Sequence, residues 1–206
     1  MTQRVRDVSA ASRRPVRHPG AGLLVAAGLF LAVAPANAQV GARSTADAGV
    51  PEARPEDVAS IDAILAAVYD AISGPAGEAR DWDRFRSLFL PEARLVPTGR
   101  APDGTVRYRV WTPEEYIETA GGQLESGGFF EREAHRVEER FDNIAHAFST
   151  YESFRTPEEI EAGTPFMRGI NSFQLLHDGR RWWILQIYWQ AETPAAPIAD
   201  RYLGDG

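Results

Sequence analysis

Regular patterning begins near residue 55. Val58, Ile61, Leu65, Val68 and Ile72 recur three and four residues apart, one apolar stripe along a helix. Ser73-Gly74-Pro75 ends it. Asp81 is a good N-cap for a shorter second helix, with Trp82, Phe85, Leu88 and Phe89 as its buried face and Pro91 as its stop. A short strand is expected over residues 94–97. Pro102-Asp103-Gly104 signals a turn, followed by a strand over 106–111. Thr112-Pro113-Glu114-Glu115 is a capping box with proline at the first helical position. It opens a third helix that fades at Gly127-Gly128. Residues 129–140, 144–154, 166–177 and 181–191 are rich in aromatic and β-branched residues and read as four long strands. Asp178-Gly179 is a strong two-residue hairpin signal, and Asp142-Asn143 a weaker one. The order predicts an α+β domain, with three N-terminal helices packed on one face of a curved antiparallel sheet.

Residues 1–38 have the pattern of an export signal. Five arginines and one acid precede an apolar stretch over 21–34, and Ala36-Asn37-Ala38 supplies the small-x-small cleavage pattern. That stretch is too short for a bilayer, which needs about 20 apolar residues. Ser12-Arg13-Arg14 leaves both the general secretory and the twin-arginine routes open. The expected organisation is a signal peptide over 1–38, a flexible linker over 39–54, the folded domain over 55–192 and a loosely packed Pro/Ala-rich tail over 193–206. Cleavage between Ala38 and Gln39 would deliver the domain to the periplasm or the exterior.

Composition narrows the chemistry. The 206 residues include no cysteine, and all 22 basic residues are arginine. Thiol nucleophiles, disulfides, thiolate metal sites, Schiff-base lysines and P-loop lysines are therefore excluded. Four histidines, one in the leader, offer no metal-ligand spacing, and no hydrolase elbow or dinucleotide-binding loop is present. No cofactor and no metal is expected. The formal charge is −7, with the leader at +4 and the remainder at −11. Such an acidic domain is not expected to bind nucleic acid, or a membrane once the leader is gone.

The hairpin signals set a register. A two-residue turn at Asp178-Gly179 would place Asn171 opposite Gln186, Gly169 opposite Tyr188 and Arg168 over Trp189, the last as a cation–π pair. Both faces of that hairpin look covered. A two-residue turn at Asp142-Asn143 would place Glu139 opposite His146, Val137 opposite Phe148, His135 opposite Thr150 and Glu133 opposite Glu152. The His146 face carries the apolar residues and is expected to point inward. There Glu139 would orient the His146 ring as an acid–base pair, with His135 on the same face.

The helix order and closing strands resemble the nuclear transport factor 2-like superfamily, also called SnoaL-like or ketosteroid-isomerase-like. The resemblance covers residues 55–192. It rests on Asp81-Trp82 through Leu88-Phe89 with Pro91-Glu92-Ala93, Ile144-Ala145-His146, Ser149-Thr150-Tyr151-Glu152, Arg168-Gly169-Ile170-Asn171-Ser172 and Arg181-Trp182-Trp183-Ile184. It implies a cone-shaped fold with a pocket between helices and concave sheet, and a homodimer through the convex sheet face. The buried carboxylate base and oxyanion donor of a ketosteroid-isomerase site match no definite position in the sequence.

The expected function is binding of a small apolar molecule, with cofactor-independent acid–base chemistry of the isomerase, dehydratase or cyclase type. His146, Glu139 and His135 are the catalytic candidates. Asn171, Gln186, Tyr188, Trp82 and Tyr69 are the ligand-binding candidates. The alternative is a non-catalytic ligand-binding or dimerisation module. The leader carries its own test: intact-mass measurement of the protein recovered from a periplasmic extract should give a chain beginning at Gln39, and a chain retaining Met1 would refute cleavage.

Overall fold

The computed structural model describes Ser44, Thr45 and residues 49–204. The predicted leader lies outside the described residues. Helices α1 (Pro55–Val58), α2 (Ile61–Ile72) and α3 (Trp82–Ser87) come first. Strands β1 (Phe89–Arg100) and β2 (Val106–Tyr108) follow. Helix α4 (Pro113–Tyr116), a π-helical turn (Ile117–Gly121) and α5 (Gly122–Gly127) form a second helical arm. Then come β3 (Phe130–Phe141), β4 (Ile144–Phe154), the short α6 (Pro157–Ala162), β5 (Met167–His177) and β6 (Trp182–Ala191). The six strands make one sheet in the order β2-β1-β6-β5-β4-β3. Only the β1–β6 pair is parallel.

Local chemistry explains most boundaries. The predicted first helix is split at Ser60, whose hydroxyl accepts the Ala63 N–H at 3.0 Å and caps α2. Asp81 caps α3 as expected, through the Arg84 N–H at 2.9 Å. The capping box at Thr112 and Glu115 is formed. Pro91 does not simply stop a helix. It lies inside β1, which begins at Phe89 and is longer than the expected strand over 94–97. A β-bulge between Phe89 and Arg94 accommodates the proline.

The core lies between the helices and the inner sheet face. Ile64, Leu65 and Val68 of α2, Phe85 of α3, Phe173 of β5 and Ile184 of β6 are buried there, each contributing about 1.5–3 kcal/mol of hydrophobic stabilisation. An ion-pair triad ties the first three helices together. Arg84 grips the buried Asp57 with two bonds, at 2.7 and 2.9 Å, and also bonds Asp70. The Arg84 guanidinium holds the Asp57 carboxyl below its usual pKa range, against the opposing effect of burial.

Two bulges correct the predicted registers. Between β3 and β4 the pairing follows the expected register from Phe141↔Ile144 through Glu139↔His146 to His135↔Thr150. A bulge at Ala134 then shifts it, so Glu133 faces Tyr151 and Arg132 faces Glu152. Glu133 and Glu152 do not share a position. Between β5 and β6 the turn holds four residues, because Asp178 accepts the N–H groups of Arg180 and Arg181. A second bulge at Leu185 adds an odd shift, so Asn171 pairs with Trp189, not Gln186. Arg168 does not lie over Trp189; it bonds Glu192 at 2.8 Å.

The facing of the β4 hairpin is nonetheless the reverse of that expected, because small alanines, not the larger Val137 and Phe148, form the side that packs on the helices. Ala145, Ala147, Ser149 and Tyr151 are buried against the helices. His146, Phe148 and Thr150 therefore point to the outer, convex face. The tail does not pack loosely there. Tyr202 packs its ring 4.9 Å from Phe148 and accepts the Thr150 hydroxyl at its carbonyl.

One buried cation organises the helical layer. All five Arg80 N–H groups donate to carbonyls: Ile72, Pro75, Glu78, Gly74 and Leu124, at 2.5–3.3 Å. A Cβ at Gly74 would stand 2.6 Å from the Arg80 guanidinium, so only glycine fits. Arg80→Lys offers three donors for five carbonyls. It should lower unfolding free energy by about 2–4 kcal/mol, read from urea denaturation, and Gly74→Ala should destabilise in the same way. Unchanged midpoints in both variants would contradict this account.

Candidate active site

An apolar cavity of about 120 Å³ opens between the helices and the inner sheet face. Val68 and Ile72 of α2, Phe85 of α3, Leu95 of β1 and Phe173 and Ile187 of the sheet form its walls. Tyr116 ends α4 and closes it from above, stacked on Phe85 at 5.5 Å and edge-on to Trp189 at 6.3 Å. The π-helical turn that follows keeps Tyr116 over the cavity and sets Gly121 against Trp82, where a Cβ would come within 3.1 Å of the indole.

A single carboxyl reaches into this apolar space. Glu131 stands on β3 just before the bulge, on the inner face. Its Oε2 accepts the Ser153 hydroxyl at 3.0 Å, and its Oε1 accepts the Asn171 side-chain amide at 3.2 Å. The same amide nitrogen donates to the Tyr69 hydroxyl at 3.1 Å, and Tyr69 shares a 2.7 Å bond with Ser149. Desolvation raises the Glu131 pKa to about 7, in spite of the two hydrogen bonds that favour its ionised form.

Three phenols surround that carboxyl. Tyr69, Tyr116 and Tyr151 all line the cavity. Burial, reinforced by the negative charge of Glu131, raises the pKa of each phenol, so all three keep their protons. Tyr69 is engaged by Asn171 and Ser149. Tyr116 and Tyr151 make no hydrogen bond to any described residue, so their O–H groups are available as donors. Gly169 makes room for Tyr151, since a Cβ there would fall 2.4 Å from the phenol oxygen.

The structure distributes the predicted site residues over both faces. Tyr69 and Asn171 meet at the cavity floor. Trp82 packs beside the cavity, edge-on to Phe85, and its indole N–H donates to Glu125 at 2.8 Å. His146 lies on the outer face with Nε2 3.0 Å from the Ser172 hydroxyl. Glu139 is opposite His146, as the register predicts, but is exposed. His135 is on the outer face beneath the tail at Gly204. Tyr188 is exposed and lines an outer hollow with Ser172 and Tyr202, and Gln186 precedes it past the Leu185 bulge. The site therefore brings together Tyr69 and Asn171 with Glu131, Tyr116 and Tyr151, which the sequence reading misses. A carboxylate directly after Phe129-Phe130 was the available signal for Glu131. Among the described residues no group of His, Cys, Asp and Glu is placed to hold a metal ion.

No family model and no curated protein matches the sequence. Solved structures are similar in fold. One is a protein of unknown function with a cystatin-like fold from Nostoc punctiforme, 12% identical, with a TM-score of 0.47, covering 68% of this chain and 92% of its own. Another is an NTF2-like protein of unknown function from Silicibacter pomeroyi, 14% identical, with a TM-score of 0.43, covering 65% and 94%. A candidate ketosteroid isomerase from Parabacteroides distasonis is 14% identical, with a TM-score of 0.43, covering 66% and 91%. These likenesses concern the fold, and no activity comes with them.

The Glu131 environment has a consequence for stability. Its folded pKa lies above its unfolded value of 4.5. Between pH 4.5 and 7 the folded state holds the proton and the unfolded state does not, so stability falls as pH rises through that window. The loss is at most about 3 kcal/mol and levels off above pH 7. Glu131→Gln should remove this slope and be the more stable protein at pH 8, as measured by urea unfolding at several pH values. A slope identical in both proteins would show that Glu131 titrates normally.

Proposed function

We propose that the domain binds a small, mostly apolar molecule bearing a carbonyl or hydroxyl group, and moves a proton on it without a cofactor. The reaction class is that of an isomerase, dehydratase or cyclase. The observation that supports this is the Glu131 carboxyl, desolvated at the floor of an apolar cavity and poised near neutrality. A group with a pKa near the working pH serves as base and then as acid. In the proposed step, ionised Glu131 takes a proton from the carbon next to a substrate carbonyl. The electron pair moves onto the carbonyl oxygen as an enolate. The Tyr116 and Tyr151 phenols donate hydrogen bonds to that oxygen, and protonated Glu131 returns its proton to carbon. Asn171 and Ser153 hold the carboxyl in place.

The proposed setting is the periplasm or the exterior, as the leader pattern implies. The proposed homodimer would use the convex face. The tail occupies its centre, so the exposed Phe141, Ile144 and Val137 at the β3–β4 turn are the surface offered to a second subunit.

Deuterium exchange tests the chemistry directly. In D₂O the protein should catalyse deuterium uptake next to the carbonyl of ketones it binds, drawn from a panel of β,γ-unsaturated and aryl ketones and followed by proton NMR. Glu131→Gln should slow that uptake by about 10²-fold or more while leaving ketone affinity nearly unchanged. Binding without uptake by the native protein would favour the alternative, a non-catalytic ligand-binding module.

A further inference from the structure

Glu131 and Tyr69 border two spaces at once. One is the apolar cavity. The other is a cleft between α2 and β3, also lined by Asp62, Ala66, Glu133 and Arg136. Carboxylates run along this cleft in order of burial. The Asp62 side chain is 82% exposed at the rim, the Glu133 side chain is 25% exposed, and the half-buried Glu131 carries the most strongly desolvated carboxyl at the inner end. Glu133 and Glu131 are two residues apart on the same strand face, with Cα atoms about 7 Å apart, a spacing at which a bridging water can join their carboxyls. The Glu133 Oε1 atom is buried with no hydrogen-bond partner among the described residues, and the Arg136 Nε atom stands 3.6 Å from it.

An apolar molecule filling the cavity displaces water from that side of Glu131. Any net uptake or loss of a proton then needs another route. We propose that the α2–β3 cleft is the proton port of Glu131, with Glu133 carrying protons between solvent at the Asp62 rim and the Glu131 carboxyl. This rests on the reading of Glu131 as the acid–base group. In one direction a proton passes from water to a Glu133 oxygen, and from there to Glu131, leaving Glu133 ionised again. The groups facing Glu133 are Asp62 and Tyr69 from α2, Arg136 and Glu138 from β3, and Ser149 from β4. Those facing Glu131 are Tyr69, Tyr116, Tyr151, Ser153 and Asn171. Burial raises the Glu133 pKa, which brings its affinity for a proton closer to that of Glu131. The Ser149 hydroxyl and then the Arg136 guanidinium oppose that rise and keep Glu133 able to release the proton.

A light-triggered pH jump, followed by time-resolved infrared spectroscopy of the full folded domain, tests the port without any ligand. The carboxylic-acid C=O band of Glu131 is the one lost in Glu131→Gln. Glu133→Gln removes the carrier, and Ala66→Trp, at the exposed lip of the cleft, blocks the passage without touching a charge. Each should slow the appearance of the band by about tenfold and leave its final amplitude unchanged. Native rates in both variants would overturn the port and route the proton through the cavity. Slowing in Ala66→Trp alone would remove Glu133 as the carrier. If Glu131→Gln removes no band that titrates between about pH 5 and 9, the acid–base reading of Glu131 fails instead.

Discussion

The cavity depends on one buried guanidinium. Arg80 joins the end of α2 to the loop after it and to α5, through carbonyls alone. The carbonyls at a helix C-terminus carry partial negative charge and lack intrahelical partners, so a cation there satisfies both needs. Arginine suits the position because its five donors lie in a fixed planar fork. The contact with Leu124 matters most for function. It fixes the second helical arm, whose α4 end carries Tyr116 over the cavity. The Arg80 backbone N–H and the Trp82 indole both donate to Glu125, which holds α3 to the same arm. The roof of the site is therefore set by polar contacts at its edge, while apolar packing fills its interior.

That roof explains how a carboxyl can stand in an apolar space. Two side-chain donors and three nearby phenols surround Glu131, too few polar groups to replace water fully. The carboxyl answers by binding its proton more tightly. A carboxylate given stronger donors would stay ionised and be a feeble base. One with no donors would stay neutral to high pH. Asn171 and Ser153 place Glu131 between these limits. Asn171 also ties the carboxyl to Tyr69, so the α2 helix and the sheet are held in register at the point where chemistry is proposed.

Element type and order were legible because they follow from local patterns. The stripe from Val58 to Ile72, the caps at Asp81 and Thr112 and the four closing strands each carry their own signal. Register was legible only as far as the first irregularity. The tight turn at Asp142-Asn143 fixes pairing out to His135↔Thr150, and the Ala134 bulge ends that reach. A bulge opposes two residues to one, and nothing in the residues around Ala134 or Leu185 announces it. The site was legible in the same proportion. Asn171 stands out as a polar residue on a covered sheet face and Tyr69 as an aromatic of the first helix, and both line the cavity. Glu131, Tyr116 and Tyr151 are not among the candidates, because their roles depend on facing the cavity.

The bulge that defeats the sequence reading is also what joins fold to chemistry. Without it, strict alternation along β3 would send Arg136 to the opposite face from Glu131 and Glu133. With it, Glu131, Glu133 and Arg136 stand on one face, and Arg136 can bond Asp62 across the cleft while sitting 3.6 Å from Glu133. A charged surface is thereby brought to within two residues of a desolvated carboxyl on a single strand. Apolar packing alone would have sealed that carboxyl from water on every side. The irregularity supplies a polar wall behind Glu131, and the apolar cavity lies on its other side.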